Sequence, residues 1–247
     1  NKSLGGQIRC FAALSQWEFV LEKIKELESK KEDPIILNQT QKNVKALVGK
    51  YGTKAAFHLS KWSEIEKYNE NAEPGHYKDF FNAVLAIKDR KFTEAESLIV
   101  SMRKNLTKEV DSYTNYQNSY EKILRIQEVA ELEEVILLER NLVDLRENEV
   151  SSYLLGKERQ QKITQGIIDN MNHFWDDRFS CLGSPYQNME RFISIRVLNQ
   201  YADVFSAKLA FAKQCYAEDN FQLYKKVLKN LQLQPKNQKQ KEMLELE

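Results

Sequence analysis

Along most of this chain apolar residues recur at steps of three and four, the spacing that keeps one face of an α-helix buried. Within 80–106, Phe81, Val84 and Leu85 precede a short polar stretch, and Phe92, Ala95, Leu98, Ile99, Met102 and Leu106 follow it. That pattern predicts helix, tight turn, helix. An earlier copy has Ala55, Ala56 and Leu59 ahead of Trp62 and Ile65. Each second helix opens on an aromatic followed by Ser/Thr-x-x-Glu: Trp62-Ser63-Glu64-Ile65-Glu66 and Phe92-Thr93-Glu94-Ala95-Glu96. The spacing predicts a capping box, in which the Ser63 or Thr93 hydroxyl accepts from an orphan amide and Glu66 or Glu96 reaches back to the cap amide. The aromatic ahead of the cap is then expected to pack against the preceding helix.

Trp17, Val20, Leu21, Ile24 and Leu27 form a further stripe, closed by charged residues over 28–33 and by Pro34. Ala13-Leu14-x-x-Trp17, His58-Leu59-x-x-Trp62 and Lys88-x-x-x-Phe92 read as degenerate copies of one turn. Their aromatics are 45 and 30 residues apart, an irregular spacing that suits a divergent tetratricopeptide-like repeat. Helices are expected over 40–60, 63–69 and 113–139, with Pro74-Gly75 a break between repeats. The stripe of the third is Tyr116, Tyr120, Ile123, Leu124, Leu132, Val135 and Ile136. The polar stretch 140–162, which carries Gly156, is expected to be a loop or insertion. Ile163, Ile167, Met171, Phe174 and Trp175 restore a helical face that Gly183-Ser184-Pro185 ends. A helix from Tyr186 with Met189, Phe192, Ile193 and Val197 comes next, then a last hairpin over 204–216 and 221–233, and a frayed polar tail over 235–247. The expected fold class is all-α: one α-solenoid segment of antiparallel helix hairpins spanning 1–247.

Composition agrees. Only 8 Gly and 4 Pro in 247 residues argue against a turn-dense β protein. A net charge of +1 gives no global pull toward nucleic acid or anionic lipid. No apolar run approaches the ~20 residues that cross a bilayer. Cys10, Cys181 and Cys215 are few and far apart, as expected of buried thiols in a reducing, cytoplasmic setting. The first residue is Asn, so a piece of a longer protein is expected.

Candidate chemistry is sparse. His58, His76 and His173 are far apart, and none has a second ligand type one helical turn away, so no metal site is expected. Gly49-Lys50-Tyr51 and Gly156-Lys157-Glu158 lack the frame of a phosphate-binding loop. Glu131, Glu133 and Glu134 are expected on a solvated face or docking edge. No catalytic residues are assigned. A free-standing tetratricopeptide-type adaptor is the alternative reading.

Four stretches, in order, resemble the FAT region of the target-of-rapamycin kinases, members of the phosphatidylinositol 3-kinase-related Ser/Thr protein kinases. They are Gly6-Gln7-Ile8-Arg9-Cys10-Phe11-Ala12-Ala13-Leu14-Ser15-Gln16-Trp17, Phe80-Phe81-Asn82-Ala83-Val84-Leu85-Ala86, Leu132-Glu133-Glu134-Val135-Ile136, and Trp175-Asp176-Asp177-Arg178-Phe179 with Arg196-Val197-Leu198 downstream. The resemblance implies the N-terminal part of a FAT solenoid that clamps a kinase domain lying beyond this chain. ATP and Mg²⁺ would belong to that kinase domain. Partners would be the kinase domain and other subunits of a kinase complex, with any peripheral place on endomembranes reached through the parent complex. The family's inositol-polyphosphate pocket maps here only to Lys226, in Phe221-x-Leu223-x-x-Lys226-x-Leu228. The signature carried by the resemblance and the turns together is Ala13, Leu14, Trp17, Leu59, Trp62, Ser63, Glu66, Phe81, Leu85, Phe92, Thr93, Glu96, Trp175 and Arg178.

Overall fold

The computed structural model describes residues 2–29, 38–110, 116–147, 157–182 and 185–232. Among the described residues the chain forms eleven α-helices and no strand. They are α1 Lys2–Ala13, α2 Trp17–Ser29, α3 Asn38–His58, α4 Trp62–Asn69, α5 His76–Lys88 and α6 Phe92–Val110, then α7 Tyr116–Glu147, α8 Lys157–Ser180, α9 Tyr186–Arg196, α10 Val204–Ala217 and α11 Phe221–Gln232. They fall into two compact units, Asn1–Val129 and Ala130–Glu247, and α7 contributes residues to both.

In the first unit α1 pairs with α2, α3 with α4 and α5 with α6. Each pair also packs on the next, α2 against α3 and α4 against α5, so the hairpins stack as in an all-α solenoid. The predicted stripes supply the core: Trp17, Val20, Leu21, Ile24 and Leu27 of α2 are buried, as are Ala95, Ile99, Met102 and Leu106 of α6. Phe57 joins α3 to α5 edge-on, 5.7 Å from Phe80 and 5.5 Å from Phe81.

Three hairpins of this unit, and the α10–α11 hairpin of the second, share one turn. Gln16, Lys61, Lys91 and Asn220 donate their N–H groups six-to-one to Phe11, Ala56, Ala86 and Cys215. The residue before each, Ser15, Ser60, Arg90 or Asp219, has φ between 53° and 59°. This is the Schellman ending, and its left-handed position is filled four times by a residue other than glycine. The carbonyls of Gln16, Lys61, Lys91 and Asn220 then accept the first bond of the next helix, from Val20, Ile65, Ala95 and Tyr224. One residue therefore both closes one helix and caps the next. Left-handed backbone costs a non-glycine residue about 1–2 kcal/mol, against ~0.5–1 kcal/mol of extra chain entropy that glycine loses on folding. Arg90→Gly, at an exposed site, is expected to stabilise the chain by about 0.5–1 kcal/mol. A lower denaturation midpoint would show instead that the Arg90 side chain holds the turn.

This turn corrects the capping-box expectation. The N-cap of α4 is Lys61 and no side chain bonds the cap, so Trp62 is the first helical residue, Ser63 the second and Glu66 the fifth. Lys91 stands likewise ahead of Phe92, which puts Thr93 and Glu96 two places too deep to close a box. Two of the aromatics, Trp17 and Trp62, also pack forward. Trp17 stacks on His58, the last residue of α3, at 4.4 Å between centroids. Trp62 lies 5.2 Å from the ammonium of Lys88, the last residue of α5. Each aromatic marks the register of the next hairpin because its helix runs alongside the first helix of that hairpin.

In the second unit α9 packs on α10 and α10 on α11. Most of α9 is buried, including Met189, Phe192, Ile193 and Ile195. The loop expected over 140–162 is shorter: helix continues to Glu147 and resumes at Lys157, and Leu142 is buried with Leu138 and Ile168. Residues 148–156, the Pro34 helix stop, Tyr113 and the tail over 235–247 lie outside the described residues. Three expected core residues are exposed: Ile123 (59%), Phe174 (60%) and Ile163 (38%). On α8 the expected Trp175 is buried and Ile167 and Met171 are partly so, while Ile168 and Phe179 complete the buried line. Cys215 is buried, whereas Cys10 and Cys181 are exposed, contrary to expectation.

Candidate functional site

The densest polar cluster of the second unit joins α7, α8 and α9. Trp175 is fully buried, and its indole Nε1 donates to Glu134 Oε2 at 2.7 Å. Arg178, one turn further along α8, brings Nη1 within 2.8 Å of both Glu134 oxygens. One carboxylate on α7 thus receives two donors from the Trp-x-x-Arg segment of α8, whose i, i+3 spacing puts both on one face. From the other side comes Arg196, the last residue of α9 and 1% exposed. Its Nη1 donates to Asp176 at 2.8 Å and its Nη2 to the Trp175 carbonyl. The guanidinium carbon sits 4.8 Å from the Phe179 ring and 5.5 Å from that of Trp175. A buried guanidinium is tolerated only when paired and hydrogen-bonded, and here a carboxylate, a carbonyl and two rings surround it. Asn172 extends the cluster, donating to Tyr201 O at 3.0 Å and accepting from Asp203 N at 2.9 Å.

Most polar groups of this cluster are spent on one another, the exception being Arg196 Nε, which is buried without a hydrogen-bond partner among the described residues. Chemically it is a lock holding three helices together, with no substrate-facing nucleophile or base in its geometry. Among the described residues no three His, Cys, Asp or Glu side chains converge as metal ligands. The acidic run expected on a solvated face turns inward at two of its three positions: Glu134 enters the lock and Glu131 is 2% exposed. Their helix lies with that face against the rest of the unit.

The sequence signature disperses over several turns. Trp17 and Phe81 are buried, and Leu59, Trp62, Leu85, Phe92 and Glu96 are half-buried. Ala13, Leu14, Ser63, Glu66 and Thr93 are exposed. Only Trp175 and Arg178 meet around a common partner. Lys226 is exposed on α11. Arg196 and Asp176 were absent from the signature, yet the chain marks Arg196: it falls at i+7 from Met189, on the register of Phe192 and Ile193. A charge on an apolar register position signals a buried pair.

A model of the FAT domain family matches residues 49–245. The serine/threonine-protein kinase TOR2 of Saccharomyces cerevisiae is 25% identical over 233 residues, covering 92% of this chain and 8% of the kinase. The serine/threonine-protein kinases TOR of Arabidopsis thaliana and Oryza sativa are 27% and 23% identical over 151 and 257 aligned residues. These cover 53% and 94% of this chain but only 6% and 9% of the kinases. The family match takes in both partners of the Glu134 lock, the forward-packing Trp62 and the all-helical hairpins that carry them. The chain belongs to the FAT domain family.

Proposed function

We propose that the chain is a non-catalytic scaffold of a target-of-rapamycin-type Ser/Thr kinase, restraining the kinase domain of its parent and offering surface to other subunits of a kinase complex. The observation that carries this reading is the FAT match over residues 49–245, together with similarity to the yeast kinase along 92% of the chain but only 8% of that kinase. Stacked hairpins closed by hydrogen-bonded turns resist bending, as a restraint requires. On this reading ATP and Mg²⁺ belong to the kinase domain of the parent, which works in the cytoplasm, and Lys226 is the residue here that would meet an inositol polyphosphate. No described helix is long and apolar enough to cross a membrane.

Leu14→Pro in the full-length parent tests the restraint. The Leu14 amide donates to Cys10 O at 3.1 Å, and its side chain is half exposed, so proline removes a bond without emptying the core. Proline also disfavours the helical conformation of Ala13 before it. Basal kinase activity is expected to rise severalfold. Unchanged activity in a mutant of normal expression and size-exclusion profile would overturn the restraint.

A further inference from the structure

A cavity of about 430 Å³ opens in the second unit between the segment leading into α10, the first turns of α10 and the end of α11. Its apolar wall includes Val204, Phe205 and Leu231, and its polar groups include Gln200, Asn230 and Lys208. That volume lies within the ~300–1,000 Å³ of small-molecule sites.

Lys208 is part-buried there, and among the described residues it makes no hydrogen bond or ion pair. Burial pushes its ammonium below the usual lysine range, and no carboxylate of the described residues acts in the other direction. The Asp203 carboxylate also lines the cavity but forms no ion pair with Lys208; its oxygens cap α10, Oδ1 accepting from Ser206 N at 3.2 Å and Oδ2 from Ser206 Oγ at 2.8 Å. An ammonium held partly out of water with no ion-pair partner among the described residues is unfavourable, and a carboxylate entering the cavity to pair with it directly would relieve it.

The geometry points to a binding site for a ligand with one carboxylate and a short apolar body, the carboxylate pairing with Lys208 and the body lying against Val204, Phe205 and Leu231. Charge selects against phosphates. The cavity offers one cation and no guanidinium fork, and the Asp203 carboxylate on its wall repels a second negative charge. This assignment stands apart from Lys226 and from the scaffold reading, and neither is needed for it.

The test is acylation of Lys208 in the full-length protein by a water-soluble activated ester, followed by mass spectrometry. Octanoate is expected to slow labelling of Lys208 at least tenfold and to leave exposed Lys225 and Lys229 unchanged. Octanol should protect less than twofold. A short peptide ending in leucine, compared with its amide, identifies the source: protection by the free acid alone would mean that a protein chain end delivers the same carboxylate. Lys208→Met removes a desolvated charge, so it should fold with an unchanged or higher Tm and lose octanoate binding in calorimetry, whereas Lys208→Arg should retain it. Equal or better protection by octyl phosphate or an inositol polyphosphate would overturn the proposal. So would protection by octanol equal to that by octanoate, or no protection by either carboxylate at millimolar concentration.

Discussion

Trp175→Ala is expected to destabilise the chain by about 3–5 kcal/mol, the range for emptying a buried aromatic site. Three losses coincide. The fully buried indole leaves a void beside α9, Glu134 loses the donor at 2.7 Å, and the Arg196 guanidinium loses the ring 5.5 Å away. Trp175→Phe separates them, since the ring volume is largely kept and only the N–H is lost. Its cost should fall to about 1–3 kcal/mol, that of leaving a carboxylate short of a partner. Urea denaturation of both variants at unchanged slope reads the two values. A loss under about 1 kcal/mol for Trp175→Ala would mean that the lock does not hold the second unit.

Gly49→Ala should fail for a different reason. A Cβ at Gly49 would lie 2.6 Å from the backbone of Asn71 and Ala72, just past α4. Backbone cannot rotate out of the way as a side chain tip can, so α3 must move off its hairpin partner. Overpacking of this kind costs about 1–3 kcal/mol, and a contact against main chain belongs at the upper end. Gly166→Ala and Gly6→Ala are the controls, because a Cβ there meets nothing within 4 Å. Within a helix that exchange gains about 1 kcal/mol from propensity alone. Thermal midpoints should therefore shift in opposite directions for the same chemical change. A midpoint for Gly49→Ala at or above that of the parent chain would refute the close approach of α3 to the α4 end.

The stripes were legible because their cause is local. Trp17, Val20, Leu21, Ile24 and Leu27 lie on one face of any helix they form, whatever that face meets, and all five are buried. The breaks at Pro74-Gly75 and before Tyr186 were readable for the same reason. The left-handed turn residues were not, because Ser15, Ser60, Arg90 and Asp219 are of three different types and none is glycine. The sequence showed three of these turns as copies of one; the hydrogen bonds around them add the fourth and show which residue is left-handed. The capping boxes misled because Ser63 and Thr93 have the right composition two places too late. A main-chain carbonyl had already taken the cap.

Periodicity, composition and turn spacing settled that this chain is an all-α stack of paired helices, since each depends on residues within one or two helical turns. Which residues of α8 point inward, that Glu134 and Arg196 are drawn into one lock, that Trp17 packs forward onto His58 and that Lys208 faces a cavity with no ion-pair partner among the described residues were decided only by packing between distant segments. Those outcomes depend on which helices become neighbours, and no window along the chain contains both sides of such a contact.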